Sequence, residues 1–181
     1  GAWNVTKSAK WTEQGKARIT FNVDTIAKVA EGTKEDIVMV LDNSGSMSGD
    51  KMIQVKHDSV ELIESVLSDS NNRIGLVNFN STAAKLSNLT SDKDSLISLV
   101  SGLDATGCTN YYAGFLKAEE ILEGYQKQEN RELILLFLTD GYPNEQISNE
   151  IPEYQALKAM YPYMAINGIQ YEMGDEVLDN L

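Results

Sequence analysis

Residues 36–46 read Asp36-Ile37-Val38-Met39-Val40-Leu41-Asp42-Asn43-Ser44-Gly45-Ser46, and this stretch decides the fold. Five consecutive apolar residues, Ile37 to Leu41, leave no face for water, so they suit a strand covered on both sides, as in a parallel sheet. The polar run that follows places oxygen-bearing side chains at the carboxyl end of that strand. Working outward, Ile74–Phe79 and Leu133–Leu138 are two more short, almost continuously apolar runs, and residues 163–171 form a fourth, interrupted by Gly168. Helical patterns lie between them. Asp50 is read as the N-cap of a helix reaching Leu67, with Ile53, Val60, Ile63 and Leu67 on one stripe and Val55, Leu62 and Val66 beside it. A shorter helix opens at Asp92 and runs toward Val100. Residues 110–127 carry Tyr111, Phe115, Ala118, Ile121, Leu122 and Tyr125 at helical spacing, and 149–160 is a further helix broken early by Pro152. Strands alternating with helices predict an α/β fold, a doubly wound, mostly parallel central sheet with helices on both faces. Residues 81–89 are expected to add one antiparallel edge strand. Residues 17–23 alternate apolar and polar, which predicts a half-exposed strand within a leader over 1–30.

The length of 181 residues suits one domain with a sizeable core, its main body running from residue 36 to 181. Acidic residues outnumber basic ones 27 to 15, for a net charge of −12. Such a chain repels phosphate backbones and anionic lipid, so no nucleic acid and no membrane surface is expected as a partner. Divalent cations and basic proteins fit better. Cys108 is the sole cysteine, which forbids an intramolecular disulfide. No apolar run reaches the length of a membrane span, so direct insertion is not expected, and any export signal or anchor is placed outside this chain. A monomer is expected.

In an open parallel sheet the loops at the carboxyl ends of the strands form the binding crevice. Three such loops carry oxygen ligands: Asp42-Asn43-Ser44-Gly45-Ser46, Gly107-Cys108-Thr109-Asn110 and Thr139-Asp140-Gly141. Asp42, Ser44 and Ser46 stand at alternate positions, and Gly45 is read as the residue that lets the loop turn without a clash. Two carboxylates and three hydroxyls are hard donors suited to Mg2+ or Mn2+.

Asp-x-Ser-x-Ser after a buried strand, a threonine in a Gly-x-Thr-Asn loop and Thr-Asp-Gly after a later strand together resemble the von Willebrand factor type A domain and its metal-ion-dependent adhesion site. The resemblance covers residues 36 to the end. It implies a Rossmann-like fold in which Ser44 and Ser46 hold Mg2+ directly and Thr109 holds it directly or through water. Asp42 and Asp140 would act mainly through water. With the charge of the ion only partly quenched, an Asp or Glu from a partner protein can complete the shell. Asn43, Asn110, Tyr111, Tyr142 and Asn144 lie close enough in sequence to line the face around the metal.

Rival readings of these residues fail on spacing. A calcium loop of the EF-hand type needs Gly and Glu where Met47 and Ile53 stand. Gly45 to Lys51 lacks the Gly-Lys-Ser/Thr ending of a phosphate loop. An aspartyl phosphatase would need Asp in place of Ser44. Cys108 and the only histidine, His57, could form a nucleophile and base, but nothing in the sequence brings them together. The ligand set without a placed general base predicts a metal-dependent protein-binding module and not an enzyme. The leader, Lys7 to Trp11 followed by the strand at 17–23, is similar to segments that precede type A domains in adhesins of Gram-positive bacteria. It implies an extracellular or cell-wall location, with a host extracellular matrix protein as a candidate partner. The alternative is an intracellular type A domain working with a AAA+ ATPase in metal insertion or complex assembly. Gly174 to Leu178 reads as a turn and helix start capped by Asp175. Since type A domains continue further, the core is expected to be incomplete at this end.

Overall fold

The computed structural model describes residues 33–141 and 152–171 together with the backbone of 6–11 and 17–22. Tyr142, Asn144 and the expected helix start at 174–178 lie outside the described residues. The described residues fall into two compact units. The first holds a hairpin of β1 (Thr6–Trp11) and β2 (Ala17–Asn22), paired antiparallel with Thr6 opposite Asn22 and Trp11 opposite Ala17. β2 follows the alternating segment. β1 was not legible as a strand, because Lys7-Ser8-Ala9-Lys10-Trp11 shows no consistent apolar face.

The second unit is the α/β body. In chain order it contains β3 (Lys34–Asp42), a 3-10 turn (Gly45–Met47), α1 (Asp50–Val66), β4 (Arg73–Phe79), β5 (Ala83–Thr90) and α2 (Lys93–Ser101). α3 (Tyr111–Leu122), β6 (Arg131–Thr139), α4 (Pro152–Met160) and β7 (Ala165–Gln170) follow. The five strands lie in the order β5-β4-β3-β6-β7. β3 pairs parallel with β4 and β6, β6 pairs parallel with β7, and β5 alone runs antiparallel, against β4. The chain leaves β3 toward β4 on one side and later returns to its other side as β6. The β3/β6 boundary is therefore the point where winding reverses, the place at which open parallel sheets have their crevice above the strand ends. Asp42 ends β3 and Thr139 ends β6.

Alternation along the central strands divides the core. Val38, Val40, Val77, Phe79, Leu133, Leu135 and Phe137 form one cluster with Phe115, Ala118, Ile121 and Leu122 of α3 and Leu157 of α4. Ile37, Met39 and Leu41 point to the opposite face and are equally buried, alongside Met52, Val55 and Ile63 of α1 and Leu96 and Val100 of α2. Burial on both faces explains why the central strands read as unbroken apolar runs.

Two details of α1 differ from the sequence reading. Its buried face is Met52, Val55, Ser59 and Ile63, continuing to Leu67, while Ile53 is 68% exposed. Apolar residues occur on two overlapping helical stripes here, and the one containing small Ser59 faces inward. Nor does Asp50 cap the helix. Gly49, at φ 78°, occupies the cap position and Asp50 is the first helical residue. A backbone with positive φ suits glycine, and an acid in the first turn still complements the helix dipole. Asp92 does cap α2, accepting a hydrogen bond from the Ser95 backbone N–H at 3.1 Å.

At the opposite end of the sheet from the crevice, Asp36 is fully buried at the start of β3. Its Oδ1 accepts from Arg73 Nε (2.8 Å) and Arg131 Nη1 (2.6 Å), and its Oδ2 from Arg73 Nη2 (2.6 Å) and the Tyr125 hydroxyl (2.8 Å). One carboxylate thus joins three strands and the segment after α3.

Candidate metal centre

Asp42 emerges from the covered strand β3 straight into the crevice and is itself buried, as are Ser44 and Thr139. Its Oδ1 accepts the Ser44 backbone N–H at 2.8 Å, a turn closed by the aspartate across two residues. Its Oδ2 accepts the Thr139 hydroxyl at 2.6 Å, which bridges the β3/β6 boundary. Tyr111 and Thr139 hydroxyl oxygens lie 3.1 Å apart, so α3 supports the same carboxylate through one intermediary. Burial pushes the Asp42 carboxyl above its usual range, and the charge of Asp140 adds to the rise, against the hydrogen bonds from Ser44 and Thr139 that favour the ion.

From Asp42 the oxygens continue toward solvent. Ser44 Oγ and Ser46 Oγ are 3.1 Å apart, and the Ser46 hydroxyl donates to Asp140 Oδ1 at 3.1 Å. Asp140 Oδ2 accepts from Lys51 Nζ at 2.6 Å. The structure therefore brings Asp42, Ser44, Ser46 and Asp140 into one chain of contacts, buried at its base and exposed at Ser46. The donor set fits a small divalent cation. Neighbouring ligands of an octahedral ion with bonds of about 2.05 Å stand about 2.9 Å apart, close to the separation of the two serine oxygens. Thr109 is exposed and, among the described residues, makes no hydrogen bond to the other four.

The loop carrying Thr109 is nevertheless fastened to the first loop. Gly45 N–H donates to Gly107 O at 2.8 Å, Thr106 N–H to Asn43 O at 2.8 Å, and Asn43 Nδ2 to Asp104 O at 3.0 Å. A Cβ on Gly45 would stand 3.0 Å from Gly107 O. Glycine is needed at 45 because two loops touch there, not to relieve the turn itself. Asn43, which the sequence placed among residues lining the face, is only 5% exposed and holds Asn78 Nδ2 and Asp104 O instead. A buried clamp cannot meet a partner.

Asn110 is likewise occupied. Its Oδ1 accepts from Ala113 N–H at 3.1 Å as the N-cap of α3, and its Nδ2 donates to Ser81 O at 3.3 Å. Asn110→Ala is expected to cost about 1 kcal/mol of stability, the usual loss for a helix cap, with divalent-ion affinity unchanged. Denaturant unfolding alongside a metal titration checks both halves.

Cys108 is exposed, with its backbone N–H donating to Ser81 Oγ at 2.8 Å. The ring nitrogens of His57 instead face Asp58 (3.5 Å) and Glu61 (3.6 Å). These three side chains are close enough to share a cation. They lie on the flank of α1, about 9 Å along the helix from Lys51 at 1.5 Å per residue. Asp58 is already held there by Gln54 Nε2 (2.6 Å) and the Tyr171 hydroxyl (3.1 Å).

Sequence reasoning missed Thr139 and Lys51. Thr139 was seen only as part of a loop, although a threonine ending a buried strand next to the strand that ends in Asp42 is placed to donate to that carboxylate. Lys51 carried a signal of its own. A cation in the first turn of a helix opposes the helix dipole, and such a local conflict marks a residue kept for another purpose.

The reversal of winding at β3/β6, with a carboxylate-hydroxyl cluster above it, defines an open α/β domain with an oxygen-rich cluster at its strand ends. Residues 37–142, more than half of the chain, match the von Willebrand factor type A domain, and the chain belongs to that family. It is 32% identical over 126 residues to inter-alpha-trypsin inhibitor heavy chain H1 of Sus scrofa, a match covering 64% of this chain and 14% of that protein. Among solved structures, the vWF domain of the type V pili tip protein Mfa5 from Porphyromonas gingivalis aligns at a TM-score of 0.55 and 22% identity. That alignment covers 61% of this chain and 38% of the other. An aerotolerance-related membrane protein from Bacteroides fragilis aligns at 0.59 and 18% identity, covering 77% and 69%. The PilB minor pilin of Streptococcus sanguinis aligns at 0.53 and 24%, covering 72% and 34%. These likenesses establish the shared fold.

Proposed function

We propose that this domain is a divalent-metal-dependent protein-binding module, not an enzyme, in which Asp42, Ser44, Ser46, Thr109 and Asp140 hold Mg2+ or Mn2+. The observation that carries the reading is the contact chain Asp42–Ser44–Ser46–Asp140 at the winding reversal, with two serine oxygens at the spacing of neighbouring metal ligands. Ser44 and Ser46 present neutral oxygens, while both oxygens of Asp42 are engaged by the Ser44 N–H and the Thr139 hydroxyl. Neutral direct ligands leave the cation its Lewis acidity toward a further anion, and an Asp or Glu side chain of a partner protein suits the exposed rim at Ser46 and Thr109. The family supports the choice of a protein partner, and the likeness to a pilus tip protein and a minor pilin supports a location on a bacterial surface.

The test is calorimetric titration of Mg2+ and Mn2+ into chelator-treated protein. Binding that Ser46→Ala removes is expected. No heat at millimolar metal would overturn the assignment. A pull-down from host matrix proteins with and without chelator then identifies the partner.

A further inference from the structure

Lys51 is the only cation within ion-pair distance of Asp42 or Asp140 among the described residues. Its side chain is 16% exposed and that of Asp140 is 9% exposed, so the contact is largely shielded from water. Asp140 has one oxygen on this ammonium and the other on the Ser46 hydroxyl, while Asp42 is held entirely by uncharged donors. The first turn of α1 otherwise favours acids, as Asp50 illustrates, so helix formation gives no reason for lysine there. The ammonium instead faces a carboxylate that a divalent cation would also seek.

We propose that Lys51 is a built-in counter-cation of the metal centre, which compensates Asp140 in the metal-free domain and lowers the affinity for divalent ions. This inference rests on the metal-binding reading above and adds to it what sets the affinity. Two carboxylates and one ammonium leave the cluster with a single negative charge, half of what the carboxylates alone would offer a divalent ion. Like charges at short range in a shielded site repel strongly, so binding must work against the ammonium or move it aside. The metal-free domain is in turn spared an uncompensated carboxylate at Asp140.

The experiment titrates Mn2+ alone into chelator-treated wild type, Lys51→Met and Lys51→Arg, and records melting of each with and without saturating Mn2+. Lys51→Met should bind Mn2+ about tenfold or more tighter than wild type. It should melt lower than wild type without metal and recover when loaded, whereas a purely structural lysine would leave the variant low in both states. Lys51→Arg keeps the charge and should bind like wild type. If Lys51→Met does not fold without metal, Lys51→Gln replaces it, and the melting of both in Mn2+ still reports the recovery. Equal or weaker Mn2+ binding by the methionine and glutamine variants, with wild type binding normally, overturns the role of Lys51. Absence of binding by wild type and variants alike overturns the metal-binding reading itself.

Discussion

Asp36→Ala is expected to lower the stability of the α/β unit by about 3 kcal/mol, a fall in Tm of about 6–12 °C. Four hydrogen bonds converge on this one buried carboxylate from two arginines and a tyrosine. Removing it leaves Arg131, 9% exposed, without its counter-charge and without the acceptor of Nη1, although Nε and Nη2 keep Gln128 Oε1 and Asn71 O, while Arg73, 35% exposed, can turn partly to water. That escape places the expected loss at the low end for breaking a buried ion pair. Burial disfavours the Asp36 charge, but hydrogen bonds from Arg73 and Tyr125 and the charges of Arg73 and Arg131 outweigh it and hold the carboxyl below its usual range. Its contribution is therefore full above the pKa of an unfolded aspartate, about 3.9, and is lost as pH falls through the lower folded value. Thermal and urea unfolding of wild type and variant at neutral and acid pH measure both effects. The crevice lies about 20 Å away along β3, so Mn2+ affinity should not change. A variant as stable as wild type would mean that the arginines find equivalent partners.

How much of this was legible in the sequence depends on what each residue answers to. The central strands were legible because burial on both faces allows little but apolar side chains, and the run Ile37 to Leu41 states that directly. The antiparallel edge strand was legible from its mixed composition and its position. The inward face of α1 was not, since apolar residues on two overlapping stripes satisfy the same periodicity. Only docking against the sheet selects Met52, Val55, Ser59 and Ile63 over Ile53.

The site divides along similar lines. The gathering of Asp42, Ser44, Ser46 and Asp140 was legible because oxygen-bearing side chains directly after parallel strands meet at the same end of the sheet. The residues around them were harder. Asn43, Asn110 and Tyr111 all lie near in sequence, yet a clamp, a helix cap and a support for Thr139 look alike until their hydrogen bonds are known. Proximity along the chain identifies a neighbourhood and not a direction.

Asp42→Ala is expected to remove the metal response altogether. At a metal concentration of about 100 times Kd, a ligand bound only by the native state adds about 2.7 kcal/mol, so saturating Mn2+ should raise the wild-type Tm by about 5–11 °C and leave the variant unmoved. The pH dependence separates this carboxylate from its surroundings. Burial, with the charge of Asp140 adding to it, raises the Asp42 carboxyl, so the metal-free folded state takes up a proton at a pH where the unfolded chain has not. The native state then binds more protons, the slope of stability against pH is negative, and the metal-free protein gains stability as pH falls from the raised folded value toward about 3.9. Asp58, raised first by burial, shifts in the same sense, so Asp42→Ala should keep part of the acid-side gain. The difference between wild type and variant isolates Asp42. With Mn2+ bound the proton and the metal compete for the same carboxylate, so the Mn2+-induced rise in Tm should shrink over the same pH interval. Melting curves from neutral pH to about pH 4.5, with and without Mn2+, resolve these cases. An undiminished Mn2+ response in Asp42→Ala, or one independent of pH in wild type, would place the ion elsewhere on the domain.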